Sequence, residues 1–198
     1  MSNETSTKDR LIDSAVELMY ARSYADVGVQ ELCRQAQVQK GSFYHFFPSK
    51  RDLALAALDH MFDLLEESVL KPAYHGDLPA LEKIERHFEL LFAGSCSVRE
   101  STGHVRGCFF GNLAVELSTQ DEILRLKVEN LLGKIAAYVQ GALEKGVAAG
   151  ELPPDTDVQS AAQSVLAYME GVLVLAKAKN DPSVIARLAK GATKLVRV

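Results

Sequence analysis

Val38-Gln39-Lys40-Gly41-Ser42-Phe43-Tyr44-His45-Phe46-Phe47-Pro48-Ser49-Lys50 is the stretch that decides how this chain folds. It reads as a short helix suited to DNA, Lys40 to Phe47, then a break at Pro48-Ser49 and the start of a long helix. Phe43 and Phe47 stand four apart, so they share a face and pack inward with Val38. Lys40, Ser42, Tyr44 and His45 are left pointing away. Lys, Ser, Tyr and the backbone N–H groups of a helix start are the groups that meet phosphates and base edges. Between Arg34 and Arg51 stand Lys40, His45 and Lys50 and no acidic residue, although the whole chain carries a net charge of −4. Such a local gap in negative charge attracts DNA phosphates whatever the overall balance. Ser49 is placed to cap the next helix, with Asp52 three residues on as an imperfect capping box. Lys50 then falls in that helix's first turn, a place that favours anions.

The preceding residues complete a helix-turn-helix. From Asp9 to Ala21 the apolar residues Leu11, Ile12, Ala15, Val16, Leu18 and Met19 follow helical spacing with one buried face. Val29 to Ala36 forms a second short helix with Leu32 and Cys33 inward, and a turn at Gln37-Val38 leads to the third.

Residues 8 to 55 resemble the DNA-binding domain of the TetR family of bacterial repressors. Lys40-Gly41-Ser42-Phe43-Tyr44-His45, Phe47 and Ser49-Lys50 carry that resemblance. It implies an all-helical homodimer that holds a palindromic operator until a small-molecule effector enters the C-terminal domain. It also implies that Gln39, Lys40, Ser42, Tyr44, His45 and Lys50 face the DNA. Three positions depart from the family pattern. Gln37 stands where the turn usually has Gly, and a left-handed backbone there costs Gln what it does not cost Gly. Gly28 replaces the usual Ser or Thr at the start of the second helix, which removes a hydroxyl. Phe46 stands where Tyr or His is frequent.

The fold expected is all-α, with a helix-turn-helix DNA-binding domain over 1–51 and a helical effector-binding and dimerisation domain over 52–198. The first 51 residues balance at +1, so the remainder carries −5 and is mildly acidic. With 47% apolar and 24% charged residues the composition is that of a globular protein, which excludes a disordered or fibrous chain. Residues 1 to 7 are polar and show no signal peptide. Glu170 interrupts the longest apolar run, so no membrane span is expected, and the location expected is cytoplasmic. Three cysteines without a secretory context read as reduced thiols.

Beyond residue 51 the pattern predicts helices over 52–70, 80–96, 108–118, 121–149 and 155–179, with a last helix opened by Asp181-Pro182. A break is expected over 71–79, a polar loop over 97–106, and Thr119 as the cap of the fourth of these helices. Ala161, Ala162, Val165, Leu166, Met169, Val172, Leu173 and Ala176 make a stripe read as the dimer surface. It would place two recognition helices one DNA turn apart.

The effector pocket is expected among the central helices, lined by Phe88, Phe92, Cys108, Phe109, Asn112, Tyr138 and Tyr168, mostly apolar with Asn112 as a polar contact. Arg106-Gly107-Cys108 resembles the start of the central helix in a TetR subgroup with Gly-Cys at this point, some members of which sense electrophiles or oxidants. A helix N-terminus with Arg106 and His104 nearby raises the thiolate fraction of a cysteine, so Cys108 is an alternative sensor. Against this stands the ordinary role of cysteine as a small buried hydrophobe. Cys96, His104 and Cys108 match no compact metal motif. There is no phosphate-binding Gly loop, His-Glu-x-x-His or Gly-x-Ser-x-Gly, so neither a cofactor nor an enzyme is expected.

Overall fold

In the computed structural model, which describes residues 6–196, every regular element among the described residues is helical. The polar segment 1–7 therefore lies largely outside the described residues. In chain order the helices are α1 (Thr7–Ala21), α2 (Val29–Gln35), α3 (Lys40–Phe46), α4 (Lys50–Leu65), a π-helical turn (Glu66–Leu70), α5 (Lys71–Tyr74), α6 (Ala80–Thr102), α7 (Phe109–Leu117), α8 (Glu122–Ala148), α9 (Val158–Lys179) and α10 (Ser183–Lys194). They form two compact units: Met1–Leu64 with Phe109–Asn130, and Leu65–Cys108 with Leu131–Val198. The helix-turn-helix ends near residue 51, but the compact unit that contains it continues through α4 and takes in α7.

In the first unit α1 opens on a capping box: the Asp9 N–H donates to Ser6 Oγ at 3.2 Å and the Ser6 N–H to Asp9 Oδ2 at 3.3 Å. Leu11, Ala15, Leu32, Phe43, Leu53 and Leu58 lose all contact with solvent and form the core of α1 to α4. The turn between α2 and α3 runs through Gln37 at φ 56°, the left-handed conformation for which the family usually has Gly. The Asp52 N–H donates to Ser49 Oγ and the Ser49 hydroxyl to Asp52 Oδ2 at 2.6 Å, so the expected cap of α4 forms. Later in the chain α7 adds Phe109, edge-on to Tyr20 with ring centres 5.5 Å apart, and Phe110, packed on Phe62 at 6.4 Å.

In the second unit α6, α9 and α10 pack together. Several boundaries differ from the sequence expectation, among them α9, which opens at Val158 and not at 155. The helix expected to break at Lys71-Pro72 continues to Tyr74. Pro72 has no N–H, and the wide π-helical turn just before it absorbs the missing bond. The region read as a polar loop from Ser97 is instead the end of α6. Ser101 and Thr102 hydroxyls donate to the Val98 carbonyl at 3.1 and 2.7 Å, which keeps polar residues compatible with the helix, and Gly103 at φ 80° stops it. Asp121 rather than Thr119 caps α8, accepting from the N–H groups of Ile123 and Leu124. Asp181 accepts from the Ser183 N–H at 2.9 Å, but α10 starts at Ser183, so Pro182 and not Asp181 stands at its cap position, one residue later than expected.

The stripe read as a dimer surface is corrected. Ala161, Ala162, Val165, Met169, Val172, Leu173 and Ala176 are buried within the single chain, and Leu166 is half-buried. The opposite face of α9 is the open one, with Ala167, Gly171, Val174, Leu175 and Ala178 exposed. With apolar groups on both faces, α9 is long and apolar enough to cross a membrane by length and composition, which the sequence reading had excluded because of Glu170.

Candidate DNA-binding surface and effector unit

Phe43 anchors α3: it is fully buried, with Phe47 beside it at 6.2 Å and the Tyr44 ring edge-on at 5.1 Å. With Phe43 and Phe47 inward, the rest of α3 faces out. Gln39 occupies the position before the helix, and Gln39, Lys40, Tyr44 and His45 are exposed, with Ser42 half-buried. The Lys40 ammonium lies 5.9 Å from the centre of the Tyr44 ring, so a cation and a phenol are presented together. Arg34 at the end of α2 is exposed on its 3.5 Å ion pair with Glu31, and Glu31 is drawn more closely to Arg22 at 2.7 Å. Phe46, where a polar residue had been missed in the sequence, is 38% exposed and stacks edge-on against His45.

Lys50 departs from its expected place. Its Nζ donates to the carbonyls of Tyr24 at 3.0 Å and Val27 at 3.1 Å and lies 4.0 Å from the centre of the Tyr24 ring. Two of its three donors are thus spent on the α1–α2 loop. Desolvation lowers its pKa, and the nearby Glu116 carboxylate works in the opposite direction. Glu116 grips the same loop, accepting from the N–H groups of Tyr24 at 2.9 Å and Ala25 at 2.7 Å.

The residues expected to line an effector pocket fall in both compact units. Phe88, Phe92, Cys108, Tyr138 and Tyr168 belong to the second, Phe109 and Asn112 to the first. Phe88 is fully buried and its ring is 6.3 Å from that of Tyr168, while Phe92, one turn along α6, is half-buried. Tyr168 donates to the Leu188 carbonyl at 2.9 Å, and Tyr138 donates to Glu66 Oε1 at 2.7 Å. The Tyr138 hydroxyl therefore reaches the π-helical turn. Phe109 is buried against α1, and Asn112 is half-buried on α7. Cys108 immediately precedes α7 and shares a hydrogen bond with Glu170 of α9, whose carboxyl burial pushes up. Cys33 is buried in α2, and burial raises its thiol pKa.

Residues 11–57 match the family model of bacterial regulatory proteins of the tetR family, and residues 80–192 match that of the tetracyclin repressor-like C-terminal domain. The chain belongs to the TetR family. It is a DNA-binding transcriptional regulator. It is similar to the transcriptional regulator AcuR of Cereibacter sphaeroides, 29% identical over 173 residues that cover 87% of this chain and 77% of AcuR. It is also similar to the HTH-type transcriptional repressor NemR of Escherichia coli, 25% identical over 72% of this chain and 70% of NemR. A crystal structure of a TetR regulatory protein from Rhodobacter sphaeroides superposes with a TM-score of 0.82 at 27% identity, over 94% of this chain and 96% of that one.

In this TetR-family regulator, sequence reasoning found the exposed face of α3 because helical spacing separates Phe43 and Phe47 from their neighbours. It missed Glu116, Glu66 and Glu170. Each acts on a residue at least sixty positions away; Glu170 stands out only as a charge within an apolar run, and nothing local names any of these partners.

Proposed function

We propose that this chain is a repressor that binds a palindromic operator as a homodimer in the cytoplasm and lets go when a small-molecule effector enters the second helical unit. The observation that carries the reading is α3, a short helix held by a buried Phe43 with Gln39, Lys40, Tyr44 and His45 all exposed on it. A two-fold dimer presents two such helices to successive major grooves. The open face of α9, small at Ala167, Gly171 and Ala178 and apolar at Val174 and Leu175, suits close packing of a second copy. An effector that binds one dimer arrangement better than the other shifts the population away from the operator-bound state. The chain is read as a regulator and not as an enzyme.

The test is binding of the purified protein to DNA from upstream of its own gene. Tyr44→Ala and Lys40→Ala are each expected to weaken operator binding by at least tenfold with the dimer still folded, and normal binding by both would remove α3 from the assignment. Gln39→Ala should change sequence preference.

A second reading, a thiol sensor at Cys108, is favoured by its position: it is the residue before α7, the helix whose Glu116 holds the α1–α2 loop. Its side chain hydrogen-bonds Glu170, so modification of the sulfur disturbs that contact. Release of the wild type from DNA by a mild electrophile, with Cys108→Ser still bound, supports this reading. Equal binding by both after treatment leaves the thiol as packing.

A further inference from the structure

The α1–α2 loop is held from two sides by side chains distant in sequence. From α7, each oxygen of the Glu116 carboxylate takes one loop N–H: Oε2 that of Tyr24 at 2.9 Å, Oε1 that of Ala25 at 2.7 Å. From the first residue of α4, Lys50 Nζ takes two loop carbonyls, Tyr24 at 3.0 Å and Val27 at 3.1 Å, and covers the Tyr24 ring. Tyr24 is thus bound through its N–H, its carbonyl and its ring. Val27 is fully buried, and Gly28 after it begins α2 without a side-chain cap. The position of α2 consequently depends on the loop, and α3 follows α2 through the tight turn at Gln37. All four bonds involve a charged group, which makes them stronger and more directional than neutral ones. Arg51 and Asp121, 3.5 Å apart, add a further tie between α4 and the segment after α7.

We propose that Glu116 and Lys50 form a two-sided clamp on the α1–α2 loop that sets how α2 and α3 meet the operator. Glu116 is a positioning residue for DNA recognition, and Lys50 acts on DNA through the loop instead of by neutralising a phosphate. This rests on the reading of the chain as an operator-binding regulator. Hydrogen bonds weaken steeply with distance and angle, so a displacement of α7 by about an ångström would release the N–H side of the clamp. Glu116, Lys50 and the loop they hold all belong to the first unit, so the clamp is complete within it.

The experiment compares wild type, Glu116→Gln, Lys50→Met and the double variant. It reads binding to the upstream DNA and to a scrambled duplex across a salt series, thermal melting, and amide hydrogen exchange at Tyr24 and Ala25. Gln keeps the size of Glu but turns an NH₂ donor toward one of the two N–H groups. Glu116→Gln is expected to weaken operator binding at least tenfold, leave the scrambled duplex unchanged and speed exchange at the two amides. Lys50→Met is expected to weaken operator binding with an unchanged salt slope, and the double variant should be no weaker than the weaker single variant. Operator binding by Glu116→Gln at wild-type strength would overturn the clamp. So would additive losses, or a salt slope reduced in Lys50→Met by about 0.9, the value of one phosphate contact. Should Glu116→Gln melt out, the wild type decides: fast exchange at Tyr24 and Ala25, with the neighbouring helices protected, overturns the proposal. If the wild type itself fails to prefer its upstream DNA, the regulator reading fails and the DNA role of the clamp with it. Slow exchange at the two amides would still show that the bonds exist.

Discussion

His87 shows how far burial alone changes a residue. It is 1% exposed on α6, its Nδ1 is 2.9 Å from the Tyr74 hydroxyl, and desolvation lowers its pKa to about 3. In the unfolded chain an imidazole takes up its proton near pH 6.5, whereas the folded protein resists protonation down to about 3. The unfolded state therefore binds more protons between these values. The contribution of His87 to stability is complete above about pH 6.5 and is lost as pH falls, by up to about 1.4 kcal/mol per pH unit. Wild type should lose melting temperature between pH 6.5 and 5 more steeply than His87→Gln. Parallel profiles from thermal melts would show that His87 is not the group responsible. At the same scale, the left-handed Gln37 was legible through the family resemblance, because the turn usually has Gly where this chain has Gln. Lys50 was legible as a cation and not as a loop tether, because its partners are carbonyls that every residue carries.

At the scale of elements, the junction of α9 and α10 depends on one absent methyl group. A Cβ built on Gly191 would lie 2.0 Å from the Tyr168 oxygen, so the hydroxyl occupies the space a larger residue would fill. Tyr168 uses that access to reach the Leu188 carbonyl. Gly191→Ala would displace the ring and strand the carbonyl, costing about 1–3 kcal/mol. A drop of several degrees in melting temperature is expected, and an unchanged melt would mean that α10 shifts freely. The π-helical turn belongs to the same scale. Glu66 within it accepts from Tyr138, and Pro72 follows it inside a continuing helix. Apolar spacing marks a long helix here, but a single widened turn is too short to leave a periodicity of its own.

At the scale of the whole molecule, the two faces of α9 differ. Its inward face is consumed by the chain itself, and Ala167, Gly171, Val174, Leu175 and Ala178 are exposed on the face proposed to meet a second copy. Leu175→Glu is expected to give a folded monomer by light scattering, with operator binding lost because the two half-sites are no longer read together. A dimer at the wild-type concentration dependence would move the interface elsewhere. The sequence by itself determined the all-helical class, the helix-turn-helix and the exposed face of α3, because these depend on residue spacing within one or two turns and on a local excess of positive charge. It also marked the cap at Ser49, a contact between residues three apart. Only the tertiary structure decided which face of α9 is core, that Lys50 serves the α1–α2 loop, that Phe109 packs on Tyr20 and that Glu116 holds the Tyr24 and Ala25 amides. The physical reason is common to all four: an apolar stripe or a charge announces that it needs a partner, but the partner is fixed by where the chain returns dozens of residues later.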